Sequence, residues 1–514
     1  MKKIVILTLL FATGLFSCEE ALNTQPSDFL SPQYYYNNET ELSYALNGVY
    51  DMLGKTGMYN GGDGLTTTWD VADEMFTTAS RGAQVYVYDA GDNVVNLIWR
   101  YMYTGIERAN VLLDNLEKPE MSEEARDNIE GQARFLRAYY YFVLVQNYGA
   151  VPLRTLPTAS VNDIAYPRVP ADEVYDFIIQ EMEAAEKLVP SILDQNMAGR
   201  ISKSAVWGVL ARVNLYKAGF PVNDVARYAD ALKWSKQVID LGYHELNPSY
   251  EQFFINLIQN KYDTKESIWE LEFFTTGAGE PYGETGGLGN NNGISQQDLD
   301  LGFSGAQYRV QKHLYDLYDS TDTRRDWAIA PFAYSKNFGP EKVYWLPTQI
   351  YNRNIGKWRR EYELTANKIK NYNGTNFPLL RYADVLLMAA EAENEVNGPT
   401  ILAYQWLNQV RERAQTTLYT DAEMVSSQGE FRKLIKDERS RELCFESWRK
   451  LDLIRWNILI PTMKTLAEEA YLMGGSFRGP ATVAANNITQ KHLLQPIPLR
   501  ELSLNKMLTQ NPEW

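Results

Sequence analysis

The densest group of potentially reactive side chains lies near the C-terminus: Glu438, Arg439, Arg441, Glu442, Glu446, Arg449, Asp452 and Arg455. Neighbouring carboxylates can act as general acid and base. Here, however, every acid has an arginine within one or two helical turns, and such pairs are suited to bridging packed helices. The spacing therefore predicts structural ion pairs, with Phe431, Leu434, Ile435, Phe445, Trp448 and Leu451 as the apolar face. Asp319, Asp322 and Arg324 take the same reading. Cys444, between Leu443 and Phe445, reads as a buried, inert thiol. The chain has only two cysteines, Cys18 and Cys444, and three histidines, His244, His313 and His492. That inventory excludes a cysteine-rich zinc site, and the histidines are not at helical metal-ligand spacing.

The 514 residues are 45% hydrophobic and 22% charged, an ordinary globular balance that can bury a large core. A net charge of −15 and the lack of a long basic tract argue against a nucleic-acid binder. The 34 tyrosines and 12 tryptophans stand out. Rings with a polar edge suit the apolar faces of sugars and protein interfaces, although most such rings serve the core. Residues 1–18, MKKIVILTLLFATGLFSC, carry a basic start and an apolar run too short to remain as a membrane span. Leu15-Phe16-Ser17-Cys18 resembles a lipobox, so cleavage is expected after residue 17 with lipid on Cys18, which would anchor a soluble body to a membrane.

These side chains need elements to position them. Residues 18–38, polar with Pro26 and Pro32, read as a tether, and the body as 39–514. Periodicity predicts helices at 39–54, 94–118, 122–148, 171–189, 202–219 and 227–242, and again at 379–397, 400–415, 430–443 and 445–459. Between them, 245–375 is rich in Gly, Asn and aromatics, with a strand-like run from Ser267 to Phe273. Ala231, Ser235 and Val238 share their spacing with Ala403, Leu407 and Val410, and Gly219 and Gly398 sit where C′ glycines end helices. This pattern looks like tetratricopeptide-type hairpins, concentrated within 94–242 and 379–459.

Several segments in a fixed order carry a family resemblance. They include Gly105-Ile106-Glu107-Arg108-Ala109-Asn110, Ala133-Arg134-Phe135-Leu136-Arg137-Ala138-Tyr139, Tyr148-Gly149-Ala150-Val151-Pro152-Leu153 and Glu266-Ser267-Ile268-Trp269-Glu270. They continue with LRYADVLLMAAEAENEVNG from Leu380, IKDERSRELCFESWRKLDLIRW from Ile435 and HLLQPIPLRELSLNKMLTQNPEW from His492. Together they resemble the SusD/RagB family of outer-membrane nutrient-uptake lipoproteins. The resemblance implies a mainly α fold, with four tetratricopeptide-like hairpins supporting an irregular, loop-rich region with a few short strands. It also implies a non-enzymatic lipoprotein that captures a glycan, or in some members a peptide, and passes it to a SusC-like TonB-dependent transporter. Glu19 and Glu20, directly after Cys18, resemble the family's surface-export signal.

In the family the ligand site uses loops after the first helix and loops of the central region. Those regions correspond here to about 57–99 and 245–375. Within them the candidate ligand-binding residues are Trp69, Asp73, Arg81, Tyr86, Tyr88, Tyr282, Trp327 and Trp345. A pyranose stacks an apolar face on Trp or Tyr while its hydroxyls seek Asp, Asn or Arg. No cofactor is implied. The clusters at 60–63 and 89–93 read as turns, with a weak structural calcium site as the alternative, since no EF-hand spacing is present. A glycoside hydrolase requires two carboxylates at a set separation. The 65 acidic residues supply candidates, but the resemblance points away from one.

Overall fold

The computed structural model describes residues 35–514, apart from 62–63, 67–70, 161, 163, 276–284, 336–338, 421 and 474–475. The expected signal peptide, Cys18 and the tether up to residue 34 lie outside the described residues, as do Trp69 and Tyr282. No helix among the described residues is long and apolar enough to cross a membrane.

Helices α1 (Glu39–Gly54), α2 (Asn93–Asp114), α3 (Glu123–Tyr148) and α4 (Ala171–Leu188) are followed by a single turn, α5 (Ile192–Gln195), then α6 (Lys203–Ala218) and α7 (Arg227–Asp240). Helix α8 (Tyr250–Ile258) opens an irregular insert containing the short α9 (Lys312–Leu317) and α10 (Arg325–Ala328). The chain closes with α11 (Tyr382–Asn397), α12 (Ile401–Arg413), α13 (Gln428–Leu443), α14 (Arg449–Arg455), α15 (Leu459–Met473), α16 (Arg478–Asn487) and α17 (Leu499–Leu504). Four hairpins form: α1 on α2, α3 on α4, α6 on α7 and α11 on α12. They stack in order, α2 against α3, α4 against α6 and α7 against α11. The last junction brings together helices separated by the whole insert. The array thus starts earlier than expected, at Glu39, while α13 packs against α11 from outside the hairpin series.

Local chemistry explains the array. On α2, Val95, Ile98, Trp99, Met102, Ile106, Ala109 and Leu112 recur every three or four residues and are all buried. Ser122, Ser202 and Thr400 cap α3, α6 and α12, their hydroxyls accepting from Ala125, Ala205 and Ala403 N–H. The matched triplets Ala231, Ser235, Val238 and Ala403, Leu407, Val410 are buried where hairpin helices meet. Gly398 ends α11 at φ 89°, as expected of a C′ glycine. Gly219 does not: its φ is −89°, and a Cβ there would lie 2.6 Å from Arg455 O. It is small because another backbone passes close by, not because the helix turns left-handed.

Three two-stranded antiparallel sheets order the insert. β1 (Met75–Thr77) pairs with β3 (Tyr308–Val310), β2 (Ser267–Leu271) with β6 (Phe377–Arg381), and β4 (Phe332–Tyr334) with β5 (Lys342–Tyr344). Residues 379–381, expected to begin a helix, instead continue β6. Leu380 lies opposite Trp269 and Arg381 opposite Ser267, and α11 starts only at Tyr382.

The C-terminal charged cluster forms a buried ion-pair web. Arg381 bonds Glu266 (2.7 Å), Glu442 (2.9 Å) and Glu446 (2.7 Å), and Arg324 bonds Asp322 (2.7 Å), Glu438 (2.7 Å) and Glu442 (2.9 Å). Beside it, Arg439 joins Asp384 (2.6 Å) to Asp452 (2.8 Å), and Arg455 holds Glu391 (2.5 Å). Burial opposes the charge on Glu438 and Glu442, but the arginines around them win and hold both carboxyls below the usual range. The web ties the insert to α11, α13 and α14. Cys444 is fully buried beside the Tyr318 hydroxyl (3.5 Å), and burial pushes its thiol up to about 12, consistent with an inert thiol.

Candidate functional site

The loop segment after α1 and the insert, far apart in sequence, form one face. Phe76 lies opposite Arg309 across the β1–β3 ribbon, and Gly287 N–H donates to Asn60 O at 2.6 Å. Gly61, at φ 81°, lets this contact form: a Cβ there would meet Leu288 N at 2.7 Å. Under the ribbon Phe76 packs against Tyr351 and Phe477, with ring centres 5.8 and 6.5 Å away, and against Ala470 and Ala481. Helices α15 and α16 therefore support the face, a contribution that the sequence reading did not anticipate.

The β4–β5 hairpin stands on this face. All three β4 side chains are buried and all three of β5 are exposed, so β5 is the solvent-facing edge of the pair. Tyr344 is 66% exposed, with its ring 5.7 Å from that of Phe332, while Val343 and Leu346 are also exposed. Trp345 is half-buried; its backbone N–H donates to Pro331 O at 2.9 Å, and its indole N–H is buried with no acceptor among the described residues. Nearby in the chain, Asn290 and Asn292 serve the loop itself. The Asn292 side chain accepts from Gly289 N–H at 2.8 Å and that of Asn290 from Asn371 N–H at 3.2 Å. A further exposed ring, Tyr471 on α15, lies under the Arg478 guanidinium at 3.9 Å, and Arg309 covers Phe477 at 4.2 Å. Rings of this kind, with guanidinium and amide groups between them, offer stacking surfaces and hydroxyl partners.

The expected ligand residues divide. Arg81 is exposed at the start of the loop leading to residues 83–85. Asp73 is buried and gripped by Arg449, with Nε–Oδ1 at 2.8 Å and Nη2–Oδ2 at 2.6 Å. Burial opposes its charge, yet Arg449 keeps its carboxyl below the ordinary value. With Glu74, which accepts from Phe445 N–H at 3.0 Å, it pins the loop to the turn between α13 and α14. Tyr86 and Tyr88 join a different cluster, built with His492 and Trp514. Tyr86 lies 5.3 Å from His492, Tyr88 lies 5.0 Å from Trp514, and the Tyr86 hydroxyl donates to Val71 O. They fasten the C-terminal segment. Trp327 is 3% exposed and stacked beneath Arg359 at 4.0 Å, which shields its face. In this arrangement Trp345 and Arg81 keep accessible atoms on the face, while Asp73, Tyr86 and Trp327 are occupied by other parts of the fold.

The cluster at 89–93 is turn and cap: Asp89 accepts from Gly91 N–H at 2.8 Å and Asp92 from Val94 N–H at 3.0 Å. Among the described residues no group of three or more His, Cys, Asp or Glu is placed to hold a metal ion.

Residues 265–514 match the SusD family model, and residues 22–215 match a second model described as "Starch-binding associating with outer membrane". The chain belongs to the SusD/RagB family. Among curated proteins it is similar to SusD-like protein P25 of Formosa agariphila, 28% identical over 99% of this chain and 97% of that one. Among solved structures it is similar to a SusD homolog from Bacteroides thetaiotaomicron, with a TM-score of 0.86, 28% identity, and 94% and 98% of the two chains covered. A laminarin-binding SusD-like protein superposes with a TM-score of 0.72 at 25% identity, covering 93% of this chain and all of the other. The family is one of glycan-binding proteins, and these relatives are named as SusD-like or binding proteins rather than as enzymes.

Proposed function

We propose that this protein is a surface-exposed lipoprotein, anchored through Cys18 in the outer membrane. It captures an oligo- or polysaccharide and delivers it to a SusC-like TonB-dependent transporter without transforming it. The observation that carries the binding role is the exposed β4–β5 hairpin on the face where the two loop segments meet. There Tyr344, at the end of β5, holds an exposed ring beside Phe332, and the half-buried Trp345 follows it, rings suited to stacking sugar faces. Arg81, and Trp69 and Tyr282 in the adjoining segments, complete the proposed ligand set. The four stacked hairpins act as scaffold. Membership of the family and the lipobox-like Leu15–Cys18 support the anchoring, outward orientation and transporter partner in this reading.

Calorimetry of residues 19–514 against starch, laminarin and a panel of other glycans tests the reading. Saturable binding to one glycan is expected, with no change in its chain-length profile and at least a tenfold loss in Tyr344→Ala or Trp345→Ala. Release of shorter products would refute the non-enzymatic role. Binding that survives both substitutions would move the site off the hairpin. Binding to peptide alone would replace the glycan reading by the peptide one.

A further inference from the structure

A second concave site lies on the helical array and involves none of the residues above. Its cavity, about 470 Å³, falls in the range of small-molecule sites. One wall is a face of α2, where Trp99, Tyr103 and Glu107 form one stripe at four-residue spacing and Arg100, Thr104 and Arg108 form the next. The opposite walls are the extended stretch containing Arg154 and Tyr166, and the last helix with Arg500, Glu501 and Asn505.

Charge makes this cleft unusual. The chain carries −15 overall, and the arginines of its core web, among them Arg324, Arg381 and Arg439, are matched to carboxylates. In the cleft, the acids are already engaged. Glu107 accepts from Thr158 N–H (2.8 Å) and from its hydroxyl (2.9 Å), and Glu501 accepts from the Trp99 indole. Arg108 is taken by Asp51 at 3.0 Å. Three guanidiniums remain with no carboxylate partner among the described residues. Arg100 lies over Tyr101 at 4.7 Å, and Arg154 lies over Tyr166 at 4.7 Å, its Nη2 donating to the Thr158 hydroxyl at 2.6 Å and its Nε buried without an acceptor among the described residues. Arg500 stands exposed at the start of α17. Aromatic edges, a polar lining and three guanidiniums without a carboxylate partner among the described residues match a ligand that has both a flat apolar face and an anionic group.

We propose that this cleft binds an anionic saccharide residue, with its carboxylate or sulfate between Arg100, Arg154 and Arg500 and its ring against the edges of Tyr103 and Tyr166. The cleft opens to solvent, and its lining mixes ring edges with guanidiniums, hydroxyls and an amide, a combination suited to a sugar that carries an anion. The site is separate from the β4–β5 hairpin, so it stands or falls independently of the neutral-glycan reading.

The test is titration calorimetry of residues 19–514 with tetragalacturonate, a sulfated carrageenan tetrasaccharide, maltotetraose and a tetraglutamate peptide. It uses the wild type, Arg100→Glu, Arg500→Glu and, as a distant control, Lys433→Glu. Both cleft arginines are exposed, so their reversal should leave the fold intact, which thermal melting verifies. Saturable binding of the carboxylated or the sulfated oligomer is expected, and whichever binds identifies the anion. The binding should fall at least tenfold in each cleft variant, hold in Lys433→Glu, persist in Tyr344→Ala, and weaken with salt. Failure of both anionic oligomers to bind would overturn the proposal. So would binding unchanged in both cleft variants, or equal binding of maltotetraose or tetraglutamate.

Discussion

Lys450 offers a direct test of the packing described above. It lies on α14, is 4% exposed, and points its ammonium at the Tyr86 ring 4.7 Å away. No carboxylate pairs with it among the described residues, and burial pulls its pKa from 10.5 down to about 7. In the unfolded chain the lysine keeps its proton up to about pH 10.4. Between about pH 7 and 10.4 the unfolded state thus binds more protons than the folded one, and stability rises with pH across that window. Below pH 7 the cost of holding a charged group in the core is present in full. At ~1.4 kcal/mol per tenfold change in proton affinity, the shift from 10.5 to about 7 caps that cost at roughly 5 kcal/mol. The attraction to the Tyr86 ring offsets part of that cost, by at most about 2 kcal/mol. Lys450→Met, of similar length, removes the charge and keeps the apolar stem. We expect it to stabilise the protein at pH 6 by about 2–5 kcal/mol. By the usual scaling of unfolding entropy with chain length, that is a rise of roughly 2–5 °C in Tm. The gain should shrink to the packing difference, within about 1 kcal/mol, at pH 10. Calorimetric or denaturant unfolding of both proteins at pH 6, 8 and 10 reads it, and taking the difference between them cancels the titrating groups that Lys450 does not influence. His492, held down to about 4 by burial and by the nearby Lys450, should regain a higher pKa in the variant, measurable by NMR. Equal stability at all three pH values, or a variant less stable at pH 6, would refute the account of an unpaired buried ammonium.

Glu270 carries the opposite sign. Buried with only Ser267 and Asn376 as partners, its carboxyl is pushed up to about 7, so the folded state binds more protons between about pH 4.5 and 7. Its favourable share of stability is complete at the acid end and lost as pH rises through 7, and Glu270→Gln should stabilise at pH 8 by up to about 3 kcal/mol but hardly at pH 4.5. Arg381→Ala leaves Glu266, Glu442 and Glu446 in the core with one fewer cation, only Arg413, Arg324 and Lys357 remaining to them, and should cost about 3–5 kcal/mol in urea unfolding, with at most a small loss marking the web as dispensable. Gly219→Ala should destabilise strongly, because its Cβ meets the Arg455 backbone at 2.6 Å, whereas Gly398→Ala, with open space but φ 89°, should cost only about 1 kcal/mol.

The parts of this molecule that were legible in its sequence are those whose energetics are local. Helix periodicity, a Ser or Thr cap and a terminal glycine act within a few residues, so the array from α2 to α7, and α12 with it, is written nearly residue by residue. The charged cluster was legible for the same reason, since each acid has an arginine within a turn or two. The failures share a different cause. Leu379 and Leu380 read as the first turn of a helix because the apolar run continues into α11, but pairing with Trp269, more than a hundred residues upstream, makes them a strand. Asp73 and Arg449 are 376 residues apart, and nothing near Asp73 reveals that it is already neutralised. The aromatic residues show the limit most clearly. Trp327 and Tyr344 lie in the same glycine- and asparagine-rich stretch and carry the same compositional signal, yet one is 3% exposed under a guanidinium and the other 66% exposed on an edge strand. A ring's type establishes that it can stack. Whether it stacks on the protein or on a ligand depends on which distant chain covers it, and in this fold that is decided by the β1–β3 and β4–β5 pairings. An exposed ring beside one of those pairings is therefore a stronger candidate for ligand contact than any ring chosen by composition, and this places Tyr344 ahead of Trp327 in the proposed binding face.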